Sequence, residues 1–77
     1  MIIDLKKLEH VKEKSVYNYN FYRKKDSNIG TMIRIEHTDD SHEVDVYIVH
    51  EDVEIFLGSA EDKDTGVFDV ALGEYYT

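Results

Sequence analysis

Residues 2–15 read IIDLKKLEHVKEKS, and the way this stretch folds decides the class of the whole chain. Its apolar residues Ile2, Leu5, Leu8 and Val11 recur at every third position, which makes one slowly drifting helical stripe. Lysines and glutamates fill the other faces, with Glu9 and Glu13 set to pair with lysines one turn away. The spacing predicts a short helix across about residues 2–14, too short to persist without tertiary packing.

Beyond Ser15 the period changes to two. In SVYNYNFYRK (15–24), Tyr17, Tyr19 and Phe21 alternate with Val16, Asn18, Asn20 and Tyr22, a strand signature. Tyr17, Tyr19 and Phe21 are expected to line the core, and Tyr22, Tyr75 and Tyr76 to serve as exposed contacts. KKDSNIG (24–30) is rich in turn formers, and TMIRIEH (31–37) resumes alternation with Ile33 and Ile35 on one side. HEVDVYIVH (42–50) puts Val44, Val46 and Ile48 on one face with Asp45 and Tyr47 on the other. DVEIFLG (52–58) sets Val53, Ile55 and Leu57 against Glu54 and Phe56, and VFDVALGEYYT (67–77) alternates again after a polar loop. Strands are expected over about 15–24, 31–37, 43–50, 53–58 and 67–76, and connections this short favour antiparallel neighbours. The expected fold is therefore α+β: one N-terminal helix packed on the apolar face of a meander of about five strands, in a single domain over residues 1–77.

With 77 residues and no cysteine, the chain has neither disulfides nor thiolate-bound zinc to support a small core. The opening MIIDLKKLEH carries Asp4 and no continuous apolar run, unlike a signal peptide, and no segment approaches the length of a membrane span. A cytoplasmic protein is expected, with no membrane partner.

RIEHTDDSHEVDVYIVHED (34–52) concentrates histidines and acids, yet most of it reads as a hairpin. Asp39, Asp40 and Ser41 suit the turn, since their side chains hydrogen-bond nearby backbone. His37 and His42 flank that turn, but no HExxH-type spacing accompanies them, and no metal or cofactor is expected. EDKDTG (61–66) fails as a calcium loop: counting back from Gly66 puts Lys63 at a ligand position, and Leu72 stands where the closing glutamate belongs. The serines lie in no nucleophile elbow or Ser-x-x-Lys setting, and the four glycines are scattered rather than grouped around a phosphate. The chain is expected not to be an enzyme.

Charge is unevenly distributed. Residues 1–34 hold eight of the nine basic residues against four acids, a balance of +4, and residues 35–77 hold thirteen acids against Lys63 alone, a balance of −12. The face opposite the apolar one collects Glu36, Glu43, Asp45, Glu54 and Asp69, with Tyr47 and Phe56 among them. Solvation explains polarity there but not sign, because lysine would serve as well and like charges across strands are destabilising. Such a face suits a basic groove of the kind that binds nucleic acid, its carboxylates replacing phosphates and its aromatics replacing stacked bases. The expected contact residues are Asp39, Asp40, Glu43, Asp45, Tyr47, Glu54 and Phe56. The expected partner is a basic nucleic-acid-binding protein, with no direct binding of nucleic acid.

In size, acidity and lack of cysteine the chain is similar to small inhibitors encoded by phages and mobile elements, such as uracil-DNA glycosylase inhibitors and some anti-CRISPR proteins. The likeness is one of composition and carries no motif, so no residue role follows from it. It implies an inhibitor acting by nucleic-acid mimicry. Two other readings fit the same residues: an immunity protein against a nuclease toxin, and a structural or assembly module, such as a homodimer joined through tyrosine contacts or a strand edge.

Overall fold

The computed structural model describes residues 1–16, 18–25, 30–38 and 42–72. Among them there is no α-helix, and the α+β expectation is overturned. Residues 2–14 form β1 (Ile2–Asp4), a 3₁₀ turn (Leu5–Lys7), β2 (Leu8–His10) and a second 3₁₀ turn (Lys12–Lys14). The physical reason lies in the spacing itself. Steps of three residues on a 3.6-residue helix drift about 60° each, so the four apolar positions spread over about half the cylinder and cannot all face one sheet. Asp4 also favours a break, since its side chain accepts a hydrogen bond from the Lys6 N–H at 3.0 Å. Glu9, expected to pair along a helix, instead meets Arg23 across a strand pair at 3.0 Å.

Strands β3 (Tyr19–Lys24), β4 (Thr31–His37), β5 (Glu43–His50), β6 (Val53–Glu61), β7 (Val67–Asp69) and β8 (Ala71–Leu72) follow among the described residues. All pairings are antiparallel. A six-stranded sheet runs β2-β3-β4-β5-β6-β8, and β1 and β7 form a separate two-stranded ribbon. Because β1 leads into β2 and β7 leads into β8, the ribbon is tied to both ends of the sheet's strand order and folds over its inner face. Pairing puts Ile3 opposite Phe68. Together with Val70, this pair covers Ile35, Val44, Val46, Leu57 and Ala60, and these eight residues form the core. The ribbon thus occupies the place expected for the helix.

Two faces follow from the register. Ile35, Val46 and Gly58 stand in one row and Ile33, Ile48 and Ile55 in the next, all directed inward. Tyr19 pairs with Glu36 and Phe21 with Arg34, so these two aromatics lie on the outer face, half-buried, and not in the core as expected. Tyr22 pairs with Ile33 and packs against the core, contrary to its expected exposure. Tyr17, Tyr75 and Tyr76 lie outside the described residues. In β6, Val46 pairs with Gly58 but Tyr47 with Phe56, so Leu57 is an extra residue. This bulge buries Leu57 and reverses the alternation, so that Ala60 points inward and Ser59 and Glu61 outward. Gly58, with φ 152°, supplies the backbone conformation at the bulge that other residues rarely adopt.

The two assignments of the N-terminal segment differ in which isoleucine matters. Ile3 is 5% exposed and Ile2 64%. Ile3→Ala is expected to cost about 2–5 kcal/mol in urea unfolding, whereas Ile2→Ala should stay within about 0.5 kcal/mol of the parent. The reverse order would restore the helix.

Candidate functional site

The outer face is built by residues that alternate with the core. β3 contributes Tyr19, Phe21 and Arg23; β4 contributes Met32, Arg34 and Glu36; β5 contributes Glu43, Asp45, Tyr47 and Val49; β6 contributes Glu54, Phe56, Ser59 and Glu61. At its centre stands Arg34, whose side chain is only 15% exposed. The guanidinium carbon lies 4.7 Å from the Tyr19 ring centroid and 4.2 Å from that of Tyr47. One cation is thus held between two rings from the flanking strands. Tyr47 in turn meets Phe56, with ring centroids 5.3 Å apart. Arg34 also forms ion pairs with Glu54 and, at 4.0 Å, with Glu36.

This arrangement sorts the carboxylates into two groups. Glu9, Glu36 and Glu54 are engaged by Arg23 and Arg34. Glu43, Asp45 and Glu61 lie towards the other end of β5 and β6, where Asp45 accepts a hydrogen bond from Ser59 Oγ at 2.8 Å and Glu61 approaches only Lys63, at 3.9 Å on the surface. Here the register is electrostatically unfavourable. Glu36 is directly opposite Asp45, and Glu43 directly opposite Glu61. Asp62 continues the acidic edge, its N–H donating to the His42 carbonyl at 2.8 Å.

Of the residues expected to make contacts, Glu43, Asp45, Tyr47, Glu54 and Phe56 therefore share one face. Asp39 and Asp40 lie outside the described residues. Glu54 differs from the rest because Arg34 neutralises it. The alternation pattern missed Glu61: it stops at residue 58, and only the bulge brings Glu61 to the outer face. It also missed Arg34 as the residue that organises the surrounding rings, although Arg34 alternates with Ile33 and Ile35 in the sequence. Asp69, counted with the acidic face, instead belongs to the ribbon, opposite Ile2.

Tyrosine ionisation reflects these surroundings. Burial lifts the Tyr47 hydroxyl above its ordinary value of 10.0, and the Glu36 and Asp45 carboxylates push the same way against the opposing Arg34 charge. Burial alone lifts Tyr22. The Glu9 hydrogen bond and charge hold the Arg23 proton more firmly than usual.

Elsewhere the polar groups have structural roles. Ser15 Oγ donates to the Val11 carbonyl at 2.9 Å and accepts the Phe21 N–H at 3.1 Å, with His10 Nε2 3.0 Å away, which ties the loop after β2 to β3. His37 and His42 are both exposed, and among the described residues no three histidine, aspartate or glutamate side chains gather as a metal site. No helix among the described residues is long and apolar enough to cross a membrane. No protein family, curated protein or solved structure matches the chain.

Two measurements probe the cluster. Arg34→Lys keeps the charge but loses the planar stacking surface, and it is expected to lower stability by about 0.5–2 kcal/mol in urea unfolding. For Tyr47 and Tyr22 the folded state binds the phenolic proton more tightly than the unfolded chain, so their contribution is complete below the ordinary tyrosine value and is lost as pH rises through the raised one. Stability should therefore fall above about pH 10, and Tyr47→Phe combined with Tyr22→Phe should flatten that fall.

Proposed function

We propose that the chain is a non-catalytic binding module that docks the outer face of its sheet on a basic, nucleic-acid-binding protein and blocks it by presenting carboxylates where phosphates would lie. The observation that carries this reading is the pair of like-charge rungs, Glu36 opposite Asp45 and Glu43 opposite Glu61. Each such cross-strand contact works against folding by about 0.2–1 kcal/mol. A lysine at any of the four positions would turn its rung from repulsive to attractive, although Glu36 also meets Arg34 and Asp45 accepts a hydrogen bond from Ser59 Oγ.

The geometry suits the proposed partner. Asp45 and Glu43 are two residues apart on one strand, so their carboxylates stand about 6.8 Å apart along it. That is about two phosphate steps of one nucleic-acid strand, which carries one phosphate per about 3.4 Å of axis. Phe56, 46% exposed and in tilted contact with Tyr47, offers a ring beside this array, as an unpaired base would. The sheet fixes the carboxylates in place, which lowers the ordering cost of binding. Attraction between such a face and a basic groove speeds encounter and weakens with salt.

The test uses Glu43→Lys combined with Asp45→Lys. Each change turns a like-charge rung into an opposite-charge one, and together they shift the formal net charge from −8 to −4. The parent chain, immobilised and exposed to host lysate, should retain a basic nucleic-acid-binding protein at low salt and release it on adding salt or nucleic acid. The double variant should retain none while unfolding at equal or higher urea. Retention that survives the reversal, or that added nucleic acid leaves unchanged, would sink the proposal.

A further inference from the structure

Among the described residues, the outer face ends at a strand whose far side is largely open. β6 pairs with β5 along its whole length, but β8 meets it only at Gly58 and Ser59. Among the described residues, no strand takes the backbone groups of Val53–Leu57 that point away from β5. Folded proteins usually defend such an edge with lysine, proline or inward charges. This one has neither lysine nor proline, and its single charge, Glu54, is drawn to Arg34. Its apolar side chains remain uncovered: Val53 is 59% exposed, Ile55 43% and Phe56 46%. The bulge at Leu57 lies at the limit of the open stretch, so Val53–Phe56 stays in regular register with β5.

Resting on the reading of the outer face as a docking surface for a basic protein, we propose that this edge receives an extended basic segment of that partner, added as a further strand beside Val53–Leu57. Charge and size select the occupant. A strand laid here places alternate side chains on the outer face beside Glu54 and Phe56, and the others on the inner side beside Val53 and Ile55. Lysine or arginine towards the end of the segment meets Glu51 and Asp52, exposed in the turn before Val53, and apolar residues at the inward positions cover the exposed isoleucine and valine. A second copy of the chain is a poorer occupant, because each copy carries −8 and repels the other. Five residues of edge are also short for a dimer interface of about 1,200–2,000 Å². For peptide addition five residues suffice, with main-chain bonds supplying affinity and alternate side chains selectivity.

The experiment titrates the full chain with a synthetic peptide of roughly ten residues, alternating lysine and valine, and with the same peptide N-methylated at every backbone amide, so that neither of its edges can donate to a strand. The methylated form keeps every charge and side chain but cannot extend a sheet. Affinity and amide hydrogen exchange at Val53–Leu57 are the readouts. The unmodified peptide should bind at low salt and slow exchange along this edge, and the methylated one should bind about tenfold more weakly or worse. Equal binding by the two peptides overturns the edge inference and leaves the acidic-face reading standing. Edge protection that persists unchanged in the Glu43→Lys, Asp45→Lys variant separates the two in the other direction, upholding the edge while the face reading fails. If the free chain already protects these amides, the inference is overturned. Protection that grows with protein concentration assigns the edge to a second copy, and protection lost on deleting residues 73–77 assigns it to the chain's own end.

Discussion

Everything in this fold depends on the pairing of Ile3 with Phe68. A sheet with one apolar face needs a second layer, and among the described residues there is no α-helix, nor in the chain any cysteine, to supply it. The two-stranded ribbon provides the layer by bringing residues from opposite ends of the described chain together over Ile35, Val44 and Val46. The ribbon cannot form until both ends have folded back across the sheet. The longest-range contacts therefore close the core, and the meander between them has a covered inner face only once they are made.

That dependence explains what could and could not be read from the sequence. Ile33 and Ile35, and Val44, Val46 and Ile48, alternate cleanly with polar partners, and an alternating pattern carries its own evidence of a sheet with one dry face. Residues 2–14 carried a competing signal. Leu5 and Leu8 fit a helical stripe, but Ile3, which the stripe leaves out, is the residue that reaches the core, and only its distant partner Phe68 reveals this. The bulge is another long-range matter, because an extra residue at Leu57 has meaning only against the register of β5. Tyr19 and Phe21 were misplaced for a related reason. Their strand alternates aromatics with polar residues as a core strand would, yet its inward positions go to Asn20 and Tyr22, and the aromatics face Arg34. Local alternation separates two faces without saying which is inside.

The charge asymmetry of the chain also takes on a different meaning in the fold. Along the sequence, a basic first part and an acidic second part look like separate regions. In the sheet, β3 and β4 lie beside β5 and β6, so Arg23 and Arg34 from the first part share a face with acids from the second. Arginine suits this position better than lysine, since its flat guanidinium can stack between Tyr19 and Tyr47 while still reaching two carboxylates. The lysines of the first part, by contrast, lie in the 3₁₀ turns and at or just after the end of β3, away from the cluster.

Arg34 therefore has two opposing effects on the surface around it. By binding Glu36 and Glu54 it removes negative charge from the middle of the face, which leaves the acids beyond its reach, Glu43, Asp45 and Glu61, gathered at one end. By drawing Glu54 towards the sheet it also takes away the one charge that would guard the open edge of β6. A partner meeting this surface would encounter concentrated charge at one end and bare backbone with exposed Val53 and Ile55 at the other. The first favours long-range attraction to any basic surface, and the second rewards only a segment able to lie extended. Charge without the edge would capture basic proteins indiscriminately, and the edge without charge would invite aggregation. Found together on one small sheet, they are what the proposed partner, both basic and locally strand-like, would have to satisfy.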